Sequence, residues 1–280
     1  MTAKVKKVLV IGDSCDDLYV FGKCDRLSPE APVPVLLETK TVMHHGMAFN
    51  VYQGFLLLGI DADIVTNSRR PKKIRYIDER TKNHLLRVDI DDIIDQKFEA
   101  SVDSDKYSCL VICDYNKGFI DFKERNVSNL ISLFLGKNLP VFVDSKKVDL
   151  HHYSGCILKM NDVERSRVKV WPEYPYTLIT TSGKSGAELI VNGEDQTFPI
   201  FKADTVQVAD VCGAGDSFMV GLVSGFIKTQ GDMSTSMRIA NRVAAISVQN
   251  FGTHAVSLEE IRLYENNLDK NSRIYSILEN

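Results

Sequence analysis

The 280-residue chain has no excess of basic charge: 34 lysines and arginines face 37 acids, for a formal net charge of -3 and a pI near 6.1. That excludes a general binder of nucleic acid or of a membrane surface, which needs a net basic face. No apolar run approaches the roughly 20 residues that cross a bilayer. The basic start, Met1 to Lys7, precedes an apolar stretch, Val8 to Ile11, too short for the core of a signal peptide. Paired cysteines are missing too. Cys15, Cys24, Cys109, Cys113, Cys156 and Cys212 are scattered without a C-x-x-C pair or a companion histidine pattern. They read as reduced core thiols and not as disulfides or zinc ligands, and a cytoplasmic protein is expected. There is no internal repeat, low-complexity segment or linker, and a chain of this length can bury a full core.

What is present alternates. Val5 to Ile11 is a β-rich run ended by Gly12-Asp13. Tyr107 to Cys113 ends at Asp114, Leu139 to Val143 at Asp144, and Gly155 to Leu158 at Lys159 and Asn161, with a helix expected over Val127 to Leu135. Strand, helix, strand implies an α/β protein with a mostly parallel central sheet flanked by helices. Polar residues recurring at the carboxyl ends of strands line up on one rim, where open α/β sheets bind ligands. Asp61 to Thr66, Leu178 to Thr180, Ala187 to Val191 and Gln196 to Ile200 are further strands, the last two flanking the turn Asn192-Gly193. Helices are expected from Gly46 to Gly59, Met237 to Gln249 and Leu258 to Tyr264.

Two stretches depart from this alternation. Asp16 to Phe21 and Val33 to Leu37 read as short strands around Pro29, Pro32 and Pro34, and prolines confine such strands to an edge or flap. Arg69 to Asp92 carries Arg69, Arg70, Lys72, Lys73, Arg75, Arg80, Lys82 and Arg87, with two strands expected around Glu79 to Asn83. An edge hairpin kept soluble by charge would look the same. As a flap presenting cations to a phosphorylated substrate, its strongest candidates are Lys73 and Arg87. Residues 14–40 and 73–89 together would form a β lid on a single domain spanning 1–280.

The densest chemistry lies in Asp210-Val211-Cys212-Gly213-Ala214-Gly215-Asp216-Ser217-Phe218, which runs into the apolar series Met219, Val220, Leu222, Val223 and Phe226. Small residues before a buried helix leave backbone N–H groups pointing outward at its positive end, an anion site. A carboxylate there, Asp216, is either an ordinary helix cap or a base beside a phosphoryl group. Two look-alikes fall away. Gly183-Lys184-Ser185 lacks the glycine a P-loop needs five residues earlier, where Leu178 stands. Gly213-Ala214-Gly215 lacks the third glycine of a dinucleotide fingerprint, position 218 being Phe.

The nine residues from Asp210 to Phe218 resemble the second signature of the ribokinase-like, PfkB-type carbohydrate kinases. Gly46-Met47-Ala48-Phe49-Asn50 resembles the first signature, Asn161 with Glu164 the family's Asn-x-x-Glu, and Thr181 to Gly186 its nucleotide loop. Arg26 to Val35, Asp114-Tyr115-Asn116-Lys117-Gly118 and Ile239-Ala240-Asn241 most resemble the kinase portion of the heptose 7-phosphate kinases of lipopolysaccharide-precursor synthesis. The likeness covers nearly the whole chain. It implies ATP as phosphoryl donor, with magnesium and a monovalent cation as candidate cofactors. Asp216 would be the base, with the amides of Gly213, Ala214 and Gly215 as an anion hole. Asp13, Gly46 and Asn50 would bind sugar hydroxyls, and Lys117 with Arg87 the substrate's own phosphate. Asn161, Thr181, Gly183, Gly186, Asn241 and Ala245 would surround the nucleotide, and Glu164 would orient magnesium through water. A homodimer through the lid strands is expected. The chain departs from the pattern at Met47, where the signature has a second glycine, at Val211 and Cys212, near the monovalent-cation site, and in a short connection between Thr66 and Lys72.

Overall fold

The computed structural model describes residues 6–191, 206–266 and 274–279, together with the backbone of 194–196. Eight strands form the main sheet: β1 (Lys7–Gly12), β4 (Ala62–Thr66), β7 (Tyr107–Asp114), β8 (Val141–Ser145), β9 (Ile157–Asn161), β10 (Thr177–Thr181), β11 (Ala187–Val191) and β12 (Glu194–Gln196). Their order is β12-β11-β10-β9-β8-β7-β1-β4. The pairings from β4 through β10 are parallel, and β11 and β12 add antiparallel at one edge. The expected turn Asn192-Gly193 and the end of its second strand, residues 197–200, lie outside the described residues.

β1 and β7 carry apolar residues on both faces, as a strand covered on both sides must. Val8, Val10, Val111 and Cys113 join the cluster under α1 (Ala48–Leu57), α4 (Ala214–Lys228) and α5 (Met233–Ser247). Leu9, Ile11, Leu110 and Ile112 join the opposite cluster, which includes Val127, Leu130, Ile131 and Phe134 of α2 (Asn126–Leu135). Small residues let the first group of helices approach closely. A Cβ on Gly54 would come within 2.7 Å of Val220, and one on Gly221 within 2.8 Å of the Ala240 backbone. Of the six cysteines, all free, four are buried. α3 (Asp162–Arg167), α6 (Leu258–Asn266) and α7 (Ile274–Glu279) complete the set. No helix among the described residues is long and apolar enough to cross a membrane.

A second sheet has the order β3-β2-β5-β6. Its strands are β2 (Ser14–Leu27), β3 (Pro34–Met47), β5 (Lys72–Asp78) and β6 (His84–Ile90). The short strands read from sequence are therefore pieces of two 14-residue strands paired over most of their length. The alternation expected of an edge strand is masked because one face of this sheet is polar and buried. Asp17, Lys73 and Arg75 are all more than nine-tenths buried. The helix expected from Gly46 begins at Ala48, since Gly46 and Met47 are still paired to β2.

Candidate active site

α4 begins after Gly213, whose φ of 78° is the left-handed conformation glycine takes without strain. The following residues turn into the helix, so the first amides of α4 face the carboxyl ends of the central strands. Asp216 lies in this first turn and is 5% exposed. Its carboxylate accepts hydrogen bonds from the Tyr115 hydroxyl and from Asn50 Nδ2, the latter at 3.0 Å. Burial pushes its pKa up to about 6; the bonds from Tyr115 and Asn50 pull the other way, and the Asp144 charge adds to the rise. A carboxylate with a pKa near neutrality at a helix N-terminus can take a proton from a hydroxyl and is poorly suited to a merely capping role.

A charged row borders the loop. Lys159, at the end of β9, places Nζ 2.7 Å from Asp144 Oδ2 and 2.7 Å from where a Gly215 Cβ would stand. Lys146 Nζ lies 2.6 Å from Asp144 Oδ1 and 2.6 Å from Glu164 Oε1. Burial works against the Asp144 charge, but Lys146 and Lys159 outweigh it and hold its carboxyl well below the usual range. Lys146 also lies over the Tyr115 ring, 5.3 Å from its centroid.

Asn161 and Glu164 form a capping box at the start of α3: Asn161 Oδ1 accepts from the Glu164 amide and Glu164 Oε2 from the Asn161 amide, both at 2.9 Å. Thr181 ends β10, and the turn Gly183–Ser185 follows, with φ of 51° at Gly183 and 91° at Gly186. Asn241 is half-buried on α5, and Ala245 is buried one turn on.

On the acceptor side, Asn50 reaches Asp216 directly, and Asp13 lies at the end of β1 against the loop after β7. It is fully buried, with its two oxygens accepting from the amides of Lys117 (3.2 Å) and Phe119 (3.0 Å). It holds the loop after β7 in place. Gly46 has no room for a side chain, since a Cβ would fall 2.2 Å from Asp17 Oδ2. Met47 is buried at φ 62°, ψ -134°, a conformation of glycine, and belongs to neither main apolar cluster. A side chain in that region stores on the order of 1–3 kcal/mol of strain.

The two cations expected at a substrate phosphate have different carboxylate partners. Lys117 Nζ contacts Asp92, and Lys73 Nζ reaches the same carboxylate at 3.0 Å, so these two lysines gather on one acid between lid and rim. Arg87, half-exposed, is clamped by both oxygens of Asp89 at 2.7 and 2.8 Å. The buried lid arginine is Arg75, 2.5 Å from Asp17. Sequence reading placed Asp144 and Lys159 on the rim without a role and quoted Tyr115 only within a string. Lys146, beyond the end of β8, gave no signal of its own. Charge pairing across strands that are distant in sequence is what groups them.

Residues 157–261 match the pfkB family carbohydrate kinases. Curated relatives named bifunctional protein HldE include those of Bradyrhizobium diazoefficiens, 27% identical over 93% of this chain and 63% of its own length, and of Campylobacter jejuni subsp. jejuni serotype O:6, 28% identical over 96% and 67%. The chain thus spans about two thirds of the length of these relatives. Among solved structures, the Arabidopsis thaliana ribokinase complexed with ribose and ATP superposes with a TM-score of 0.69 at 14% identity, covering 92% of this chain and 98% of the other. The Escherichia coli phosphofructokinase-2 in complex with potassium does so with a TM-score of 0.64 at 14% identity, covering 99% and 100%. The order of the motifs and the parallel sheet with its β lid agree with these matches: the chain has a ribokinase-like fold, and its residues 157–261 are similar to the pfkB family carbohydrate kinases.

Proposed function

We propose that the protein transfers the γ-phosphoryl group of ATP to a sugar hydroxyl, with heptose 7-phosphate as acceptor and its anomeric hydroxyl as the nucleophile. The observation that carries the reading is Asp216: a buried carboxylate with its pKa raised to about 6, in the first turn of a helix that opens on a glycine loop. Asp216 takes the hydroxyl proton as the oxygen attacks, and Asn50 and Tyr115 keep its carboxylate aimed. The amides of Gly213, Ala214 and Gly215 hold the charge of the transferring group, with the Lys159 ammonium beside them. Thr181, Gly183, Gly186, Asn241 and Ala245 form the nucleotide side.

Magnesium would shield the charge of the phosphates. Among the described residues no three His, Cys, Asp or Glu side chains come together to hold a metal, so a wholly protein-held ion does not fit. Glu164 fits an ion carried by the nucleotide and reached through water. For a monovalent cation, Asp210 and Thr253 are the residues that fit: Thr253 Oγ1 is buried without a hydrogen-bond partner beside Gly213, and Asp210 accepts from the Gly252 amide at 3.0 Å.

ATP consumption with a panel of free and phosphorylated sugars tests the reading. Turnover with a heptose 7-phosphate well above that with ribose or fructose supports it. Turnover confined to another sugar would move the acceptor, for which Met47 is the motivating departure, and no turnover with any sugar would sink the kinase. Lys117→Ala is expected to raise KM for phosphorylated acceptors at least tenfold and to leave KM for ATP within twofold. Equal loss for both substrates would remove Lys117 from the phosphate site.

A lid-to-lid homodimer belongs to the same proposal. On the sheet face opposite Asp17 and Arg75, Leu18, Ile74 and Val88 lie in register, with Val20, Tyr76 and Leu86 beside them; Leu86 is 58% exposed. An apolar sheet face of this kind is covered well by a second copy. Sedimentation should give a dimer for the parent and a monomer for Leu86→Glu. A monomeric parent would dismiss it.

A further inference from the structure

Asp144, Lys146, Lys159 and Glu164 form one compact charge cluster at the nucleotide end of the site. Lys146 Nζ is its hub, 2.6 Å from each of two carboxylates that come from different elements, the end of β8 and the first turn of α3. Lys159 completes it from β9, at 2.7 Å from Asp144. The side chains are mostly screened from water: 3% exposed for Asp144 and Lys159, 26% for Lys146 and 18% for Glu164. Two carboxylates and two ammonium groups cancel. We propose that Lys146 occupies the place between Asp144 and Glu164 that a divalent cation would otherwise take, so the protein admits the metal only together with the nucleotide.

The physical reason is charge balance in a poorly solvated place. A free dication entering a neutral cluster adds two uncompensated charges and must also displace an ammonium from two short ion pairs. A metal–nucleotide complex brings phosphate charge that already compensates the ion, and Lys146 can exchange its carboxylates for phosphate oxygens as it enters. The inference rests on the assignment of Glu164 to the magnesium side of the proposed kinase. Its consequence for binding can nevertheless be read without turnover.

The measurement is a titration of the full chain with Mn2+, free ion being followed by electron paramagnetic resonance in the absence of nucleotide. The parent and Lys146→Arg, whose guanidinium can still bridge both carboxylates, should bind Mn2+ weakly. Lys146→Met should bind one Mn2+ per chain at least tenfold more tightly, and adding Glu164→Gln should abolish the gain. Lys146→Gln serves in its place should the methionine variant fail to fold, as judged by circular dichroism. Parent protein that binds Mn2+ as tightly as the methionine variant would overturn the proposal, as would a gain that survives Glu164→Gln. Absent kinase activity leaves this comparison intact, so the two readings fail separately.

Discussion

Asp216→Asn is expected to lower kcat by about 10²- to 10⁴-fold, the usual contribution of a positioned base, while the fold remains. Asparagine keeps the shape, and the Tyr115 hydroxyl can turn from donating to Asp216 to accepting from the new amide, while Asn50 keeps an oxygen to donate to. The variant cannot take a proton. In the parent the base must be ionised, so kcat/KM should fall as pH drops through about 6. The same shift has a sign for stability. Between the ordinary 3.8 and about 6 the folded chain keeps a proton that the unfolded chain has lost, so stability falls as pH rises through that window. Above it the buried charge costs on the order of 2–3 kcal/mol, and Asp216→Asn should melt no lower than the parent at pH 8. Initial rates and melting curves across pH check both halves, and turnover within threefold of the parent would end the role of Asp216 as base.

Arg75→Ala should destabilise the protein by about 3–5 kcal/mol, because it strands Asp17 as an unpaired charge inside the lid. The two side chains are 9% and 4% exposed and 2.5 Å apart. Arg75 also lies over the Tyr19 ring, 5.1 Å from its centroid, and Tyr19 packs edge-on against Phe251. Loss of the guanidinium therefore loosens the lid where it touches the loop beside Gly213. Adding Asp17→Asn should recover much of the loss, since the stranded charge goes with it. Arg87→Ala, opposite Arg75 in the paired strand and half-exposed on Asp89, should cost only a few tenths of a kcal/mol. Denaturant unfolding of the parent and the three variants measures all of this, and an Arg75→Ala effect below about 1 kcal/mol would contradict the burial argument.

Arg75 and Arg87 sit opposite each other in neighbouring strands, and pattern alone favoured Arg87. Nothing local separates them, since both lie in a charged hairpin. The partner that decides is Asp17, 58 residues earlier in the chain and brought alongside by the pairing of β2 with β5. Asp13 was legible as a polar residue at a strand end, and that is where it lies. Its orientation toward the amides of Lys117 and Phe119 depends on how the loop after β7 returns past β1.

The alternation of apolar strands with helices, the prolines near one sheet edge and the glycine loop before an apolar helix are local patterns, and they were enough to determine the main sheet, the separate strands beside it and the helix carrying Asp216. Hydrophobic period and backbone freedom act between near neighbours, so a sequence displays them openly. Charge acts through space. Tyr115 on Asp216, Lys146 between Asp144 and Glu164, and Arg75 on Asp17 join residues from different elements. Only the tertiary structure, by bringing these groups together away from water, decided which acids are held ionised and which one, Asp216, has its pKa pushed up to about 6.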